Sequence, residues 1–284
     1  MALVVNTNIA AMVTKRNLTM NTMGVNKSFE RLSSGLRINR AADDAAGLSI
    51  SETLRTQVRG LHMAINNAQD GMNLLQVAEG GLNVITENLQ RIRELTVQAA
   101  NDTNATNERN AISREVNQRI LDITRIASTL KFNTIELLTG NSSDAVLQIG
   151  PNASAQTNAL TVGSVLRTAT ASALGLDANS ATAGAGGYFE SGGSCRTFLT
   201  TVDNALQLLF DRRSLIGAYS NRLESVVQSL TIQKENVTAS ESRIRDLDVA
   251  DETAALTKYQ ILQQAAVSVL AQSVQAPSLA LNLL

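Results

Sequence analysis

Between Leu61 and Ala99, apolar or small residues return every seven positions in two interleaved rows. Leu61, Ala68, Leu75, Leu82, Leu89 and Thr96 make one row; Ala64, Gly71, Ala78, Ile85, Ile92 and Ala99, offset by three, make the other. These are the a and d positions of a helix–helix seam kept for six heptads. The small d residues of the first half allow a partner helix to come close, and Ile85 and Ile92 fill a wider gap. A helix from Ser49 to Ala99 would be roughly 75 Å long at ~1.5 Å per residue. Ser49 and Glu52 have the spacing of a capping box, which places the expected start there. The Asn/Thr cluster "NDTNATNERN" then predicts a turn. Ile112, Val116, Ile120, Ile123 and Ala127 predict a shorter helix that ends near Lys131 and folds back antiparallel.

A seam this long needs a partner, and the C-terminal half supplies one. Val202, Leu209, Ile216, Leu223, Leu230, Val237 and Ile244 are each seven apart. Their companion positions are mixed: Leu206 and Val227 fit, whereas Arg213 and Lys234 do not. That mixture predicts one member of a multi-helix bundle. From Leu247 to Val274 the chain is apolar around most of its circumference, so more than one side expects a partner. Pro277 is the expected end of that helix.

The middle of the chain changes character. "DAVLQIG" and "NALTVGSVL" are short β-type runs set off by Gly, Pro and Asn and predict a hairpin. "TATASALGLDANSATAGAGGYFESGGS" is almost wholly small residues and reads as an exposed connection. The expected fold class is mainly α: a long antiparallel helical bundle made by the N- and C-terminal arms, with a small β-hairpin region in the middle. The expected division is 1–44 with 245–284, then 45–140 with 198–244, then a variable region, 141–197.

Composition narrows the function. Tryptophan is absent and aromatic residues are 3%, so the core must be built from Leu, Ile, Val and Ala. One cysteine, Cys195, excludes an internal disulfide; with one histidine, His62, it leaves Cys/His catalysis and metal sites without partners. No nucleophile–base pair or phosphate loop appears, so an enzyme is not expected, and neither is a cofactor. A net charge of −1 gives no global field for nucleic acid or an acidic membrane. The N-terminus, "MALVVNTNIAAMVTKRNL", does not have the form of a secretory signal peptide. No run reaches the ~18 apolar residues of a membrane span.

Longer stretches go beyond heptad background. "NTNIAAMVTKRNL", "LSSGLRINRAADDAAGLSIS", "NAQDGMNLLQVAEGGL", "LQRIRELTVQAAND" and "FNTIELL", with "IGAYSNRLES", "NVTASESRIRDLDVADE" and "QAPSLALNLL", closely resemble bacterial flagellin. They cover nearly all of residues 1–140 and 198–284. The short centre makes the chain resemble a flagellin without large outer domains, and a cysteine is unusual for that family. The resemblance implies a subunit that polymerises with itself into the helical filament of the bacterial flagellum. It also implies passage through the flagellar type III export apparatus, a flagellin export chaperone, and hook-associated junction and cap proteins as neighbours. The alternatives are a hook–filament junction protein, which resembles flagellin at both termini, and a signalling or scaffold coiled coil.

Site residues follow from the same resemblance. Arg31, Arg37, Arg40, Asp43 and Asp44 sit where the terminal arm joins the longer bundle, with Gly35 and Gly47 relaxing the helix. All five are expected to be polar contacts between neighbouring subunits, and the two aspartates have a second, compatible reading as a cap on the following helix. Leu262, Val269 and Leu283 are expected to be buried between neighbouring arms. Arg91, Leu95 and Glu115 fall on the segment through which many flagellins are sensed by Toll-like receptor 5. From the heptad alone, Arg91 is a solvated c position, Leu95 flanks the seam at g, and Glu115 is an outer-face charge.

Overall fold

The computed structural model describes residues 7–140, 145–163, 166–176 and 187–281, with backbone alone for 155 and 276–281. Six α-helices lie in these residues: α1 (Ile9–Ser34), α2 (Ala45–Ala99), α3 (Thr106–Thr129), the single turn α4 (Ala155–Asn158), α5 (Gly192–Arg245) and α6 (Val249–Leu281). Packing divides the chain into Met1–Val58 with Glu235–Leu284, the arm unit, and Arg59–Lys234, the bundle unit.

In the bundle unit every one of the twelve a and d residues of α2 is buried. A further row is buried as well. The g positions Leu74, Gly81, Asn88 and Leu95 are covered, because neighbours lie on both flanks of the seam. On the g side, a Cβ at Gly81 would run into Leu130, and Arg119 of α3 donates to Asn88 Oδ1 at 3.1 Å. On the e side, Arg93 meets Asp203 of α5 at 2.6 Å, and Glu79 meets Arg213 at 3.9 Å. The pair with Asp203 raises the Arg93 pKa. The seam is completed by Val202, Leu209, Ile216, Leu223 and Leu230 of α5 and by Val116, Ile120, Ile123 and Ala127 of α3. Each large aliphatic group so buried contributes about 1.5–3 kcal/mol.

Two hairpins follow α3. Strands β1 (Lys131–Phe132) and β2 (Ile135–Glu136) pair antiparallel, and Asn133 takes the left-handed conformation that Asn tolerates in the turn. Strands β3 (Val146–Gln148) and β4 (Ala159–Thr161) pair in the register Leu147–Leu160, which bears out the hairpin reading of the centre. This second hairpin continues the g row of α2: Asn67 donates to the Gln148 carbonyl at 3.0 Å, and Gly60 lies against Pro151.

The reading of the small-residue segment as exposed connection holds only in part: among its described residues Ser172, Ala173, Gly175 and Glu190 are exposed, whereas others are not. Ala169, Ala171, Leu174, Leu176 and Phe189 are buried. Phe198 of α5 stacks on Tyr188 with ring centroids 4.5 Å apart and meets Phe189 edge-on at 5.7 Å. Arg212 holds the near end of the segment by donating to the carbonyls of Arg167 and Thr168 at 3.3 and 2.8 Å. Burial and the charge of Arg167 lower the Arg212 pKa. Cys195 is buried in the same cluster, and burial pushes its thiol pKa up. Residues 177–186 lie outside the described residues.

In the arm unit, α1 and α6 pack on each other. Gly35 ends α1 in the left-handed conformation, φ 70°, where its N–H reaches the Arg31 carbonyl at 2.8 Å. The break after α1 meets the break before α6: Arg37 N donates to Arg245 O at 2.7 Å, and Leu247 N donates to Gly35 O at 3.1 Å. Asp248 then caps α6, accepting from Ala250 N at 2.9 Å.

Two helix boundaries differ from the sequence reading. Helix α2 begins at Ala45 and not at Ser49, because Asp44 Oδ1 accepts from Gly47 N at 2.9 Å and is the cap. Gly47 itself is there for close approach, since a Cβ would collide with the Asp44 carboxylate and Ile38. Helix α6 does not stop at Pro277 but runs to Leu281. Proline has no N–H for the carbonyl four residues back, here Ser273. That carbonyl instead accepts from Asn8 Nδ2 at 2.7 Å.

Candidate assembly site

The polar cluster from Arg31 to Asp44 is tied together within its own chain. Asp43 Oδ1 lies 2.7 Å from Lys27 Nζ, while Oδ2 accepts from the backbone N–H groups of Arg40 and Asn39 at 3.2 and 3.3 Å. The Lys27 ammonium, with the Arg40 amide next, holds the Asp43 pKa at about 2. Arg31 Nη1 reaches Glu252 of α6 at 3.4 Å, and Arg40 Nε pairs with Glu30 at 2.8 Å. Arg37 Nη2 donates to the Ile244 carbonyl at 2.6 Å. Arg245 Nη1 pairs with Glu52 at 2.7 Å, and this lowers the Glu52 pKa. All five residues singled out from sequence therefore brace the α1–α2 and α5–α6 connections. Arg37 and Arg40 also stay exposed, whereas Arg31, Asp43 and Asp44 are half-buried.

The arm helices carry the opposite chemistry. Leu262 and Val269, the two expected apolar contacts on α6 that are described, are 41% and 51% exposed; Leu283 lies outside the described residues. Sequence reasoning missed their companions. Ile261, Val267 and Val274 on α6 are exposed, as are Ile9, Met12, Met20, Met23 and Phe29 on α1. On α6 the exposed apolar side chains spread over about two-thirds of the circumference at ~100° per residue. They flank the strip of Tyr259, Gln263, Ala266, Leu270 and Ser273 that is half-buried. One helix partner cannot cover such a surface, and exposed apolar area of this extent marks an interaction face. The signal legible beforehand was the scarcity of charge between Leu247 and Val274.

The three residues on the third candidate face do not stand alike. Arg91 is exposed and Glu115 half-buried; the two are joined, Nε to Oε1 at 3.2 Å, and Arg91 also pairs with Glu94 at 3.0 Å. Glu94 and Glu115 together raise the Arg91 pKa. Leu95 is only 3% exposed and belongs to the core cluster. Its g position is covered because neighbours pack along that row of α2.

Among the described residues no three His, Cys, Asp or Glu side chains converge as a metal site would require. No described helix is long and apolar enough to cross a membrane.

Residues 5–143 match the bacterial flagellin N-terminal helical region, and residues 199–284 match the bacterial flagellin C-terminal helical region. The chain is 40% identical over 282 residues to a flagellin of Halalkalibacterium halodurans, covering 99% of this chain and 100% of that one. It is also 40% identical over 305 residues to a flagellin of Bacillus subtilis, covering 99% of each. Among solved structures, a putative flagellar hook-associated protein from Vibrio parahaemolyticus shares the fold, with a TM-score of 0.58 at 14% identity over 72% of this chain and all of that one.

Proposed function

The chain belongs to the bacterial flagellin family, and we propose that it polymerises through the apolar faces that its α1–α6 pair leaves open. As a flagellin it is a structural subunit of the extracellular flagellar filament, serves motility and is not an enzyme. The observation that supports the assignment of the contact face is the exposed set Met12, Met23, Ile261 and Val269, which one chain cannot cover by itself. Identical copies stacking these faces head to tail give an open helix, because the contact is heterologous and does not close. Burial of the faces drives addition at the filament end. Arg37 and Arg40, charged and exposed beside the α1–α2 connection, are the polar contacts between copies. Arg31, Asp43 and Asp44 hold that connection in shape for them. Leu283 belongs to the same apolar contact set as Leu262 and Val269.

Within the arm unit, residues 1–44 and 245–284 carry the inner contacts of the filament, and the bundle is its outer layer. The partners that precede assembly are the type III export apparatus and an export chaperone that shields the α6 face. Junction and cap proteins present matching arm faces at the two ends of the filament. Arg91 and Glu115 form the surface read by Toll-like receptor 5, and Leu95 supports it from beneath.

The test is seeded polymerisation of the purified chain, followed by electron microscopy. Long helical fibres are the expected product. A soluble dimer, or no pelletable material above seed level, would overturn the reading.

A further inference from the structure

Two unrelated features of the arm unit converge on one atom. Pro277 lies inside α6, where it withholds the N–H that would ordinarily serve the Ser273 carbonyl. Asn8, immediately before α1, uses both ends of its amide. Its Oδ1 accepts from Ala11 N at 3.0 Å, capping α1, and its Nδ2 donates to Ser273 O at 2.7 Å. The two residues are 265 positions apart. The same antiparallel register recurs along the pair, where Gln263 donates to Thr22 Oγ1 at 3.1 Å and Arg31 meets Glu252 at 3.4 Å. Gly24 faces the Tyr259 ring, leaving no room for a Cβ.

We propose that Asn8 is a positioning residue for the arm pair: it supplies the hydrogen bond that Pro277 denies to Ser273 and so selects one register of α1 on α6. An uninterrupted α6 would satisfy its own carbonyls in any register. With proline at position 277, the Ser273 carbonyl is paired only when α1 begins beside it. A slip of one turn moves Asn8 by about 5.4 Å. The carbonyl is then left with water or with nothing, and a part-buried polar group without a partner disfavours that arrangement. This is the way a single polar group specifies register in an otherwise apolar helix pair. The cap half of the amide makes the device local to the first turn of α1. An Asn is required because the side chain must accept from one backbone and donate to the other.

The inference goes further than the polymer reading, since it concerns which arm geometry is presented to neighbours. It is tested by a double-mutant cycle in the full chain. Asn8→Asp keeps an acceptor for Ala11 N but has no donor for Ser273. Pro277→Ala restores an N–H to α6, so Ser273 no longer depends on α1. The readouts are the critical concentration for seeded assembly and hydrogen–deuterium exchange in peptides covering the first turn of α1 in the filament. With Pro277 present, Asn8→Asp is expected to raise the critical concentration about tenfold and to speed exchange there, in keeping with the loss of one hydrogen bond at a part-buried site. In the Pro277→Ala background the same substitution is expected to change either readout less than twofold. Asn8→Ser, which also keeps a cap but lacks the reach, should follow the same pattern. Equal effects in both backgrounds would show that Asn8 is a cap only and overturn the proposal. Failure of the wild-type chain to assemble at all would count instead against the polymer reading, and the exchange comparison on the soluble chain would still decide the coupling.

Discussion

Val269→Asp separates what one chain needs from what the polymer needs. Val269 is about half exposed on α6. A surface substitution of this kind changes the stability of an isolated chain by about 0.5 kcal/mol or less. Complete burial of a Val side chain is worth about 1.5–3 kcal/mol, and half of that remains to be gained on assembly, so roughly 1 kcal/mol is lost with the substitution. A carboxylate carried into an apolar contact without a partner costs several kcal/mol more. A combined penalty of about 3–5 kcal/mol per added subunit raises the critical concentration at least about 100-fold. Circular dichroism of the soluble variant should match the wild type, and seeded sedimentation should give no pellet at concentrations where the wild type assembles fully. A variant with an unchanged critical concentration and intact helicity would refute the argument, because the exposed face of α6 would then lie outside the contact between copies.

Other outcomes follow from the packing and ion pairs of the chain. Phe189→Ala or Phe198→Ala removes a fully buried ring from the bundle unit and should destabilise it by about 3–5 kcal/mol, read as a lowered thermal midpoint. The Asp43 carboxyl, held at about pKa 2 by Lys27 and the Arg40 amide, contributes stability that is fully present above the ordinary carboxylate value. That contribution is lost as pH falls from near 4 toward 2. Lys27→Met should move the Asp43 titration upward in a carboxyl NMR experiment and flatten the acid dependence of arm-unit stability over that interval. Arg91→Ala with Glu115→Ala should cut Toll-like receptor 5 reporter signalling while leaving the melting temperature nearly unchanged. Leu95→Ala should instead cost about 2–5 kcal/mol of bundle stability, as for other buried leucines.

The bundle was the most legible part of the chain because its signal is dense and repeated. All twelve seam residues of α2 are buried, since six heptads leave no other face for the partner. What the two-row reading lacks is the third neighbour. Leu74, Gly81, Asn88 and Leu95 stand at g, and α3 and the β3–β4 hairpin cover that row; a two-helix seam would leave it open. The small-residue segment was partly misread, for a different reason. Ala169, Ala171 and Leu174 are buried, whereas composition registers only the shortage of large apolar groups. Helix ends were least legible. Asp44 caps α2 five residues before the Ser49–Glu52 pair that looked like a capping box. Past Pro277 α6 continues with its Ser273 carbonyl accepting from Asn8, at the far end of the chain, a contact that no local pattern contains. Within the candidate site, the charge-poor α6 face could be read directly. The pairing of Arg91 with Glu115, by contrast, requires α3 to be folded onto α2.

The most direct test of the account is a helical reconstruction, by electron cryomicroscopy, of filaments assembled from this chain. The account predicts that Met12, Met23, Ile261 and Val269, all exposed in the single chain, lose their contact with water against the α1 and α6 helices of neighbouring copies. A map in which copies touch only through residues 59–234, with these side chains still facing solvent, would contradict it.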